Sequence, residues 1–230
     1  MRQVSARTPL AFARCARRGS EGRVNFEVIP VGSFAANCTI AWCDPAAAWI
    51  FDPGADAQEL IDFLRARELT PGAIVLTHGH FDHIGALGDL LDAHPGLPVY
   101  LNEKDELLAF SPLNCYAEYA ATKRPATMRF LPADGAQLAL GGLTARIVET
   151  PGHTPGSTCY LFEDDALLIA GDTLFRGSCG RTDLPMGDAR AMSESLRRLR
   201  GLPDALRVIC GHGPETTLAT EKRTNPYLTV

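Results

Sequence analysis

"LTHGHFDHIG", residues 76–85, places three histidines and one aspartate within the six positions from His78 to His83. The whole chain contains six histidines, so half of its imidazoles crowd into one short stretch. Residues 73–77, "AIVLT", lead into it as an apolar, β-branched run that reads as a buried strand. The same arrangement recurs three times downstream. "RIVETPG" runs into His153, "LLIAG" into Asp172 and "RVICG" into His212. Each strand-like segment ends in a side chain able to bind a metal. Loops beyond strand ends are where a rigid sheet brings together groups distant in sequence. The sixth histidine, His94 in "DAHPG", falls at an expected helix end and is read as an ordinary polar residue.

The spacing His78-x-His80-x-Asp82-His83 carries its own logic. On an extended chain His78, His80 and Asp82 face one side and His83 the other. A tight turn would send the two leading imidazoles to one cation, and Asp82 with His83 to a second. No glutamate lies between ligands four apart, so this is not the helical H-E-x-x-H site of zinc proteases. Imidazole and carboxylate donors suit zinc, iron or manganese, and the lack of thiolates argues against a structural cysteine-rich zinc site.

Outward from these loops the chain alternates between the two periodicities. "FEVIPV", "CTIAWC" and "AAWIFD" predict strands, the last closed by the turn residues Asp52-Pro53-Gly54. Asp56 with Glu59 predicts a capping box, and Ala57, Leu60, Ile61 and Leu64 predict an amphipathic helix over 56–68. A helix after Ile84 would show Ile84, Leu87 and Leu91 on one face, and residues 103–126 look helical without a discernible role. "QLAL", "TARIVE", "STCYLF" and "ALLIA" predict further strands. Asp188 should cap a last helix along which Met192, Leu196 and Leu199 align, before "RVIC" closes the sheets. The expected architecture is α/β, a two-sheet core flanked by helices.

With 230 residues, 46% hydrophobic and 21% charged, the chain can bury a sizeable core. A net charge of −5 offers no basic surface to nucleic acid, and no apolar run approaches a membrane span. Seven scattered cysteines without a CxxC point to reduced thiols and a cytoplasmic setting. Residues 1–23 differ in kind, with six arginines against the single acid Glu21. They are read as an extension outside the fold, with a single domain over 24–230; as a transit peptide they would make the protein mitochondrial. A monomer or small homo-oligomer is expected.

"FDPG", "THGHFDH", "PGHTPG", "GDTLF" and "GHGP" resemble, in order, the signature segments of the metallo-β-lactamase superfamily, from about Phe26 to Pro214. The resemblance implies an αββα four-layer sandwich holding two divalent metal ions, zinc foremost, with iron or manganese as alternatives. His78, His80 and His153 would bind one, Asp82, His83 and His212 the other, and Asp172 would bridge them. Asp52 would steady the loop from behind. Such a pair lowers the pKa of water to about 7, and Asp82 and Asp172 would hold the resulting hydroxide.

The leaving group narrows the reaction. A departing amide nitrogen needs a proton, whereas a thiolate leaves unaided because a thiol pKa is about 8.5. Apart from the metals, the motif segments show no obvious general acid, so a thioester suits them best. "LFRGSCGRTD" resembles the loop of glyoxalase II, the hydroxyacylglutathione hydrolases, where a basic residue grips glutathione; Arg181 takes that position. Asp183 stands where that family has a tyrosine. Glyoxalase II also continues into a helical domain, whereas 18 residues follow His212, so the likeness is to the short stand-alone bacterial type. The implied function is hydrolysis of a small-molecule thioester such as S-D-lactoylglutathione, with the thiol carrier recognised elsewhere, residues 103–126 being a candidate. "CGRTD" resembles persulfide dioxygenases too, which hold one iron on the equivalents of His78 or His80, His153 and Asp172; "GHGP" at His212 favours the hydrolase.

Overall fold

Two six-stranded sheets form the core of the computed structural model, which describes residues 24–43, 47–114 and 123–229. The Arg-rich stretch 1–23 and residues 115–122 lie outside the described residues. The first sheet holds β1 (Asn25–Val31), β2 (Ala36–Trp42), β3 (Ala48–Phe51), β4 (Pro71–Val75), β5 (Val99–Leu101) and β6 (Met128–Phe130), side by side in chain order. The second holds β7 (Gln137–Leu140), β8 (Leu143–Glu149), β9 (Thr158–Phe162), β10 (Leu167–Gly171), β13 (Arg207–Cys210) and β14 (Thr216–Thr217). A small hairpin, β11 (Leu174–Phe175) and β12 (Ser178–Cys179), stands apart. The helices are α1 (Ala57–Ala66), α2 (Phe81–Ile84), α3 (Leu87–Ala93), α4 (Glu106–Ala109), α5 (Ala189–Arg200) and α6 (Leu218–Thr224).

The two-residue period of the strands sorts the core into three apolar layers. In β3, Trp49 and Phe51 face the second sheet, while Ala48 and Ile50 face α1 and α3 alongside Leu60, Leu64, Leu87 and Leu90. In β9, Tyr160 and Phe162 point into the intersheet layer, while Cys159 and Leu161 meet Met192, Leu196 and Leu199 of α5. Helix, sheet, sheet, helix is the order that results, the expected αββα sandwich. Each large side chain buried there stabilises the fold by about 1.5–3 kcal/mol. The central aromatics interlock across the sheets, Phe51 against Tyr160 at 5.2 Å between ring centres. The Tyr160 hydroxyl then donates to the Leu76 carbonyl at 2.6 Å, tying the second sheet to the strand end that precedes His78.

Local expectations needed correction in several places. Asp56 stands before α1, but its backbone is left-handed (φ 53°) and its side chain makes no cap bond, so there is no capping box. Its carboxylate accepts from the Gly32 N–H instead, at 2.7 Å. The helix also ends at Ala66 rather than 68. Ile84 closes α2, and α3 starts afresh at Leu87, burying Leu87 and Leu90. Asp188 does cap α5, accepting from the N–H groups of Arg190 and Ala191, but α6 and the edge strand β14 still follow.

Candidate metal centre

The donor residues leave strands at one end of the sandwich. β4 leads to His78, β8 to His153, β10 to Asp172 and β13 to His212, while β3 leads to Asp52. After β4 the backbone is extended at His80 and then coils into α2. Asp82 and His83 therefore project from a helical turn rather than alternating along an extended chain. The turn is possible because the chain packs on Gly54, where an added Cβ would fall 1.5 Å from the Asp82 carbonyl oxygen. The glycine of "FDPG" is thus demanded by the ligand loop.

Two groups of three donors result. Donor atoms of His78, His80 and His153 lie within 4.8 Å of one another, and so do those of Asp82, His83 and His212. Asp172 sits between them: its carboxylate is 3.5 Å from both His83 Nε2 and His153 Nε2 and 3.6 Å from His212 Nε2. A third grouping joins Asp52 with His78 and His83. Asp52, however, is already engaged. Its Oδ1 accepts the Thr77 N–H at 2.7 Å, and its Oδ2 accepts the Thr77 hydroxyl at 2.6 Å and His83 Nδ1 at 3.0 Å. It orients a loop and an imidazole from behind. His94 lies at the C-terminal cap of α3, outside these groups.

Hydrogen bonds at the rear fix which nitrogen of each ring is bare. Since Thr77 gives its hydroxyl hydrogen to Asp52, its oxygen accepts from His78 Nδ1 at 3.0 Å. His153 Nδ1 donates to the Arg181 carbonyl at 2.7 Å, and His212 Nδ1 to the Phe34 carbonyl at 3.1 Å. On a neutral ring the Nε2 atoms of His78, His83, His153 and His212 then carry the lone pair, and at His83 and His212 the neighbouring carboxylates draw a proton or a cation onto it. Two of them, on His83 and His212, face each other at 3.2 Å, and His80 Nδ1 meets His153 Nε2 at 2.8 Å. Buried His78 Nε2 and Asp172 Oδ1 have no hydrogen-bond partner. Lone pairs converging at such distances repel unless a proton or a metal ion joins them, and the orphaned His78 Nε2 and Asp172 Oδ1 have no proton to share, so these residues fit metal ions.

The electrostatics agree with that fit. Burial, reinforced by neighbouring imidazoles, holds His78 well below the ordinary histidine range and His80 at about 3, leaving both neutral. At His83 burial opposes the charge, but Asp172, Asp52 and Asp82 outweigh it and raise the pKa to about 10. Burial would raise Asp82, yet its hydrogen bond to His212 and the charge of His83 bring it to about 2. Positive charge is therefore favoured where the carboxylates converge. The cluster opens outward at His212, whose side chain is 27% exposed, while His83 is fully buried.

Sequence reasoning missed a residue that braces both ligand-bearing loops. Asp105 is fully buried and accepts from the Gly79 N–H at 2.9 Å, the Thr154 hydroxyl at 2.7 Å and the Gly156 N–H at 2.6 Å. Gly79 separates His78 from His80, and Thr154 follows His153. One carboxylate thus ties ligand loops from opposite sheets. An added Cβ at Gly156 would fall 2.7 Å from that carboxylate, which accounts for the last glycine of "PGHTPG". Asn114 adds to the brace, accepting from the Phe81 N–H at 2.9 Å and donating to the Gly79 carbonyl at 2.8 Å. The described part of residues 103–126 therefore has a role, positioning the 78–83 loop. No spacing marks Asp105 among the acids of "NEKDELL".

Arg181 enters the site through its backbone carbonyl on His153. Its guanidinium lies outside, holding Asp183 through two bonds of 2.7 and 2.8 Å. That pairing brings Asp183 to a pKa of about 2.

The family model of the metallo-beta-lactamase superfamily matches residues 31–212. The hydroxyacylglutathione hydrolase GloC of Haemophilus influenzae is 39% identical over 212 residues, 89% of this chain and 98% of that protein. Among solved structures, that of the BLEG-1 B3 metallo-beta-lactamase superimposes with a TM-score of 0.84 at 38% identity, covering 90% of this chain and all of the other. That of TTHA1623 in a di-iron-bound form gives 0.79 at 38% identity, covering 88% and 100%.

Proposed function

The chain belongs to the metallo-beta-lactamase superfamily, and we propose that it is a dinuclear hydrolase cleaving a thioester such as S-D-lactoylglutathione to a carboxylic acid and a thiol. The observation that carries this reading is the pair of three-donor groups meeting at Asp172. His78, His80 and His153 would hold one divalent ion, Asp82, His83 and His212 the other, and Asp172 would touch both. Zinc is the proposed metal, although a similar structure carries two irons. Bound there, the two ions would supply an activated water and polarise an acyl oxygen.

The chain's own groups do the rest. Thr77, Asp52 and the carbonyls of Phe34 and Arg181 keep Nε2 of four imidazoles aimed inward before any ligand arrives. The same bonds commit the Nδ1 hydrogens, so none of these four rings is placed to hand a proton to a departing nitrogen. A thiolate needs none. The likeness to a hydroxyacylglutathione hydrolase supports the same choice. Cys38, Cys159, Cys179 and Cys210 are free thiols, which suits the reducing cytoplasm.

Metal analysis joined to a thioester assay tests the proposal. The expected result is about two metals per chain and turnover of S-D-lactoylglutathione. One iron per chain with oxygen uptake on glutathione persulfide would make the protein a dioxygenase, and turnover of β-lactams alone would make it a lactamase. Arg181→Ala is expected to raise KM for the glutathione thioester with little change in kcat, the pattern of lost ground-state binding. Unchanged kinetics would confine the Arg181 side chain to its surface pairing with Asp183.

A further inference from the structure

We propose that the cleft between α5, residues 179–183 and residues 226–228 is a subsite for the anionic end of the thiol carrier. This rests on the thioester reading and extends carrier recognition beyond Arg181. The cleft has a volume of about 670 Å³, ample for a small molecule. Gly180 and Arg181 form one wall. The reverse side of that wall is the metal centre: the Arg181 carbonyl holds His153, and a Cβ on Gly180 would stand 3.2 Å from the His153 Cβ. The cleft therefore begins one residue's thickness from a metal-site imidazole.

Its charge runs against that of the molecule. The chain carries a net −5, yet Arg181, Arg197 and Arg200 all line this cleft, with Asp183 as the only acid among the lining residues. Asp183 is engaged by Arg181. Other arginines of α5 have acidic partners, Arg190 with Glu194 and Arg198 with Asp134. Arg197 and Arg200 make no ion pair among the described residues, although they stand on successive turns of one helix face, where like charges repel. The C-terminal helix dipole favours a cation in this turn, but it does not explain why two cations face a cleft without an acid between them. An anion does, because paired guanidiniums match carboxylate or phosphate oxygens.

The dimensions suit an elongated ligand. From Ala189, level with the wall, to Arg200 the helix rises about 16 Å. Leu196 contributes an apolar floor, and Tyr227, 54% exposed, an aromatic side wall. A thiol carrier would lie along α5 with its anionic end at Arg197 and Arg200 and its sulfur end carried over the rim of the Gly180–Arg181 wall to the donors beyond it. Glutathione with its carboxylates and coenzyme A with its phosphates share this chemistry, and the experiment separates them.

Metal-loaded wild type and the R197E/R200E variant would be assayed on three thioesters of one acyl group, carried by glutathione, coenzyme A or uncharged N-acetylcysteamine. Binding of the corresponding S-alkyl thioethers would be measured by calorimetry. The expected result is at least a tenfold fall, in the variant, of kcat/KM for one charged carrier relative to the uncharged one, with matching loss of thioether binding. The carrier that responds is the one the cleft accommodates. An unchanged ratio and unchanged binding would overturn the subsite while leaving the thioester reading intact. Failure of the wild type to hydrolyse any of the three would instead overturn that reading, and the subsite with it. Both arginines are exposed, and an unchanged circular dichroism spectrum would verify that the variant folds.

Discussion

Asp172→Ala is expected to lower hydrolytic turnover by at least about a thousandfold and to leave the purified protein with roughly one metal per chain or fewer. Among the described residues Asp172 is the one carboxylate within 3.6 Å of imidazoles from both donor groups, His153 on one side and His83 and His212 on the other. Its loss would take a ligand from two ions at once and remove negative charge that holds them close together. Fold stability should suffer little, because buried Oδ1 makes no hydrogen bond that alanine would break. The measurements are metal content, turnover and thermal unfolding of the metal-free protein. A variant that keeps two metals and full activity would show that Asp172 is not shared.

The second large effect is structural. Asp105→Ala would strand three buried donors, the N–H groups of Gly79 and Gly156 and the Thr154 hydroxyl. Each unpaired donor costs about 1–3 kcal/mol, so a total on the order of 3–5 kcal/mol is expected after relaxation. For a domain of this size that lowers Tm by roughly 10–15 °C. Because the same carboxylate aligns the loops of His78, His80 and His153, metal affinity should weaken at those three donors. Asp105→Asn, which keeps the volume and one acceptor, should fall between the two. Wild-type Tm and metal content in the alanine variant would dispose of the brace.

The comparison of sequence with structure is uneven for physical reasons. Long strands were legible because burial on both faces leaves uninterrupted apolar runs, as in β9 and β10. β5 and β6, three residues each, are too short to show a period. The candidate donors are legible because histidine is scarce and each cluster of them follows a strand end. The capping box at Asp56 failed because a tertiary partner, the Gly32 N–H, competes for its carboxylate. Asp105 was invisible for a related reason: its partners come from segments 26 and about 50 residues away, which only the fold brings near.

Four of the seven proposed donors lie within six consecutive residues of the first sheet's loop, and the other three come from the second sheet. Such a hexapeptide is a chelator in its own right, able to grasp a cation even on an unfolded chain. Affinity common to folded and unfolded states cancels from the stability balance. The thermal protection a metal confers would then come mainly from His153, Asp172 and His212, which reach the ion only after the two sheets have closed upon each other. The ion would act less as a seed for folding than as a clasp fastened afterwards.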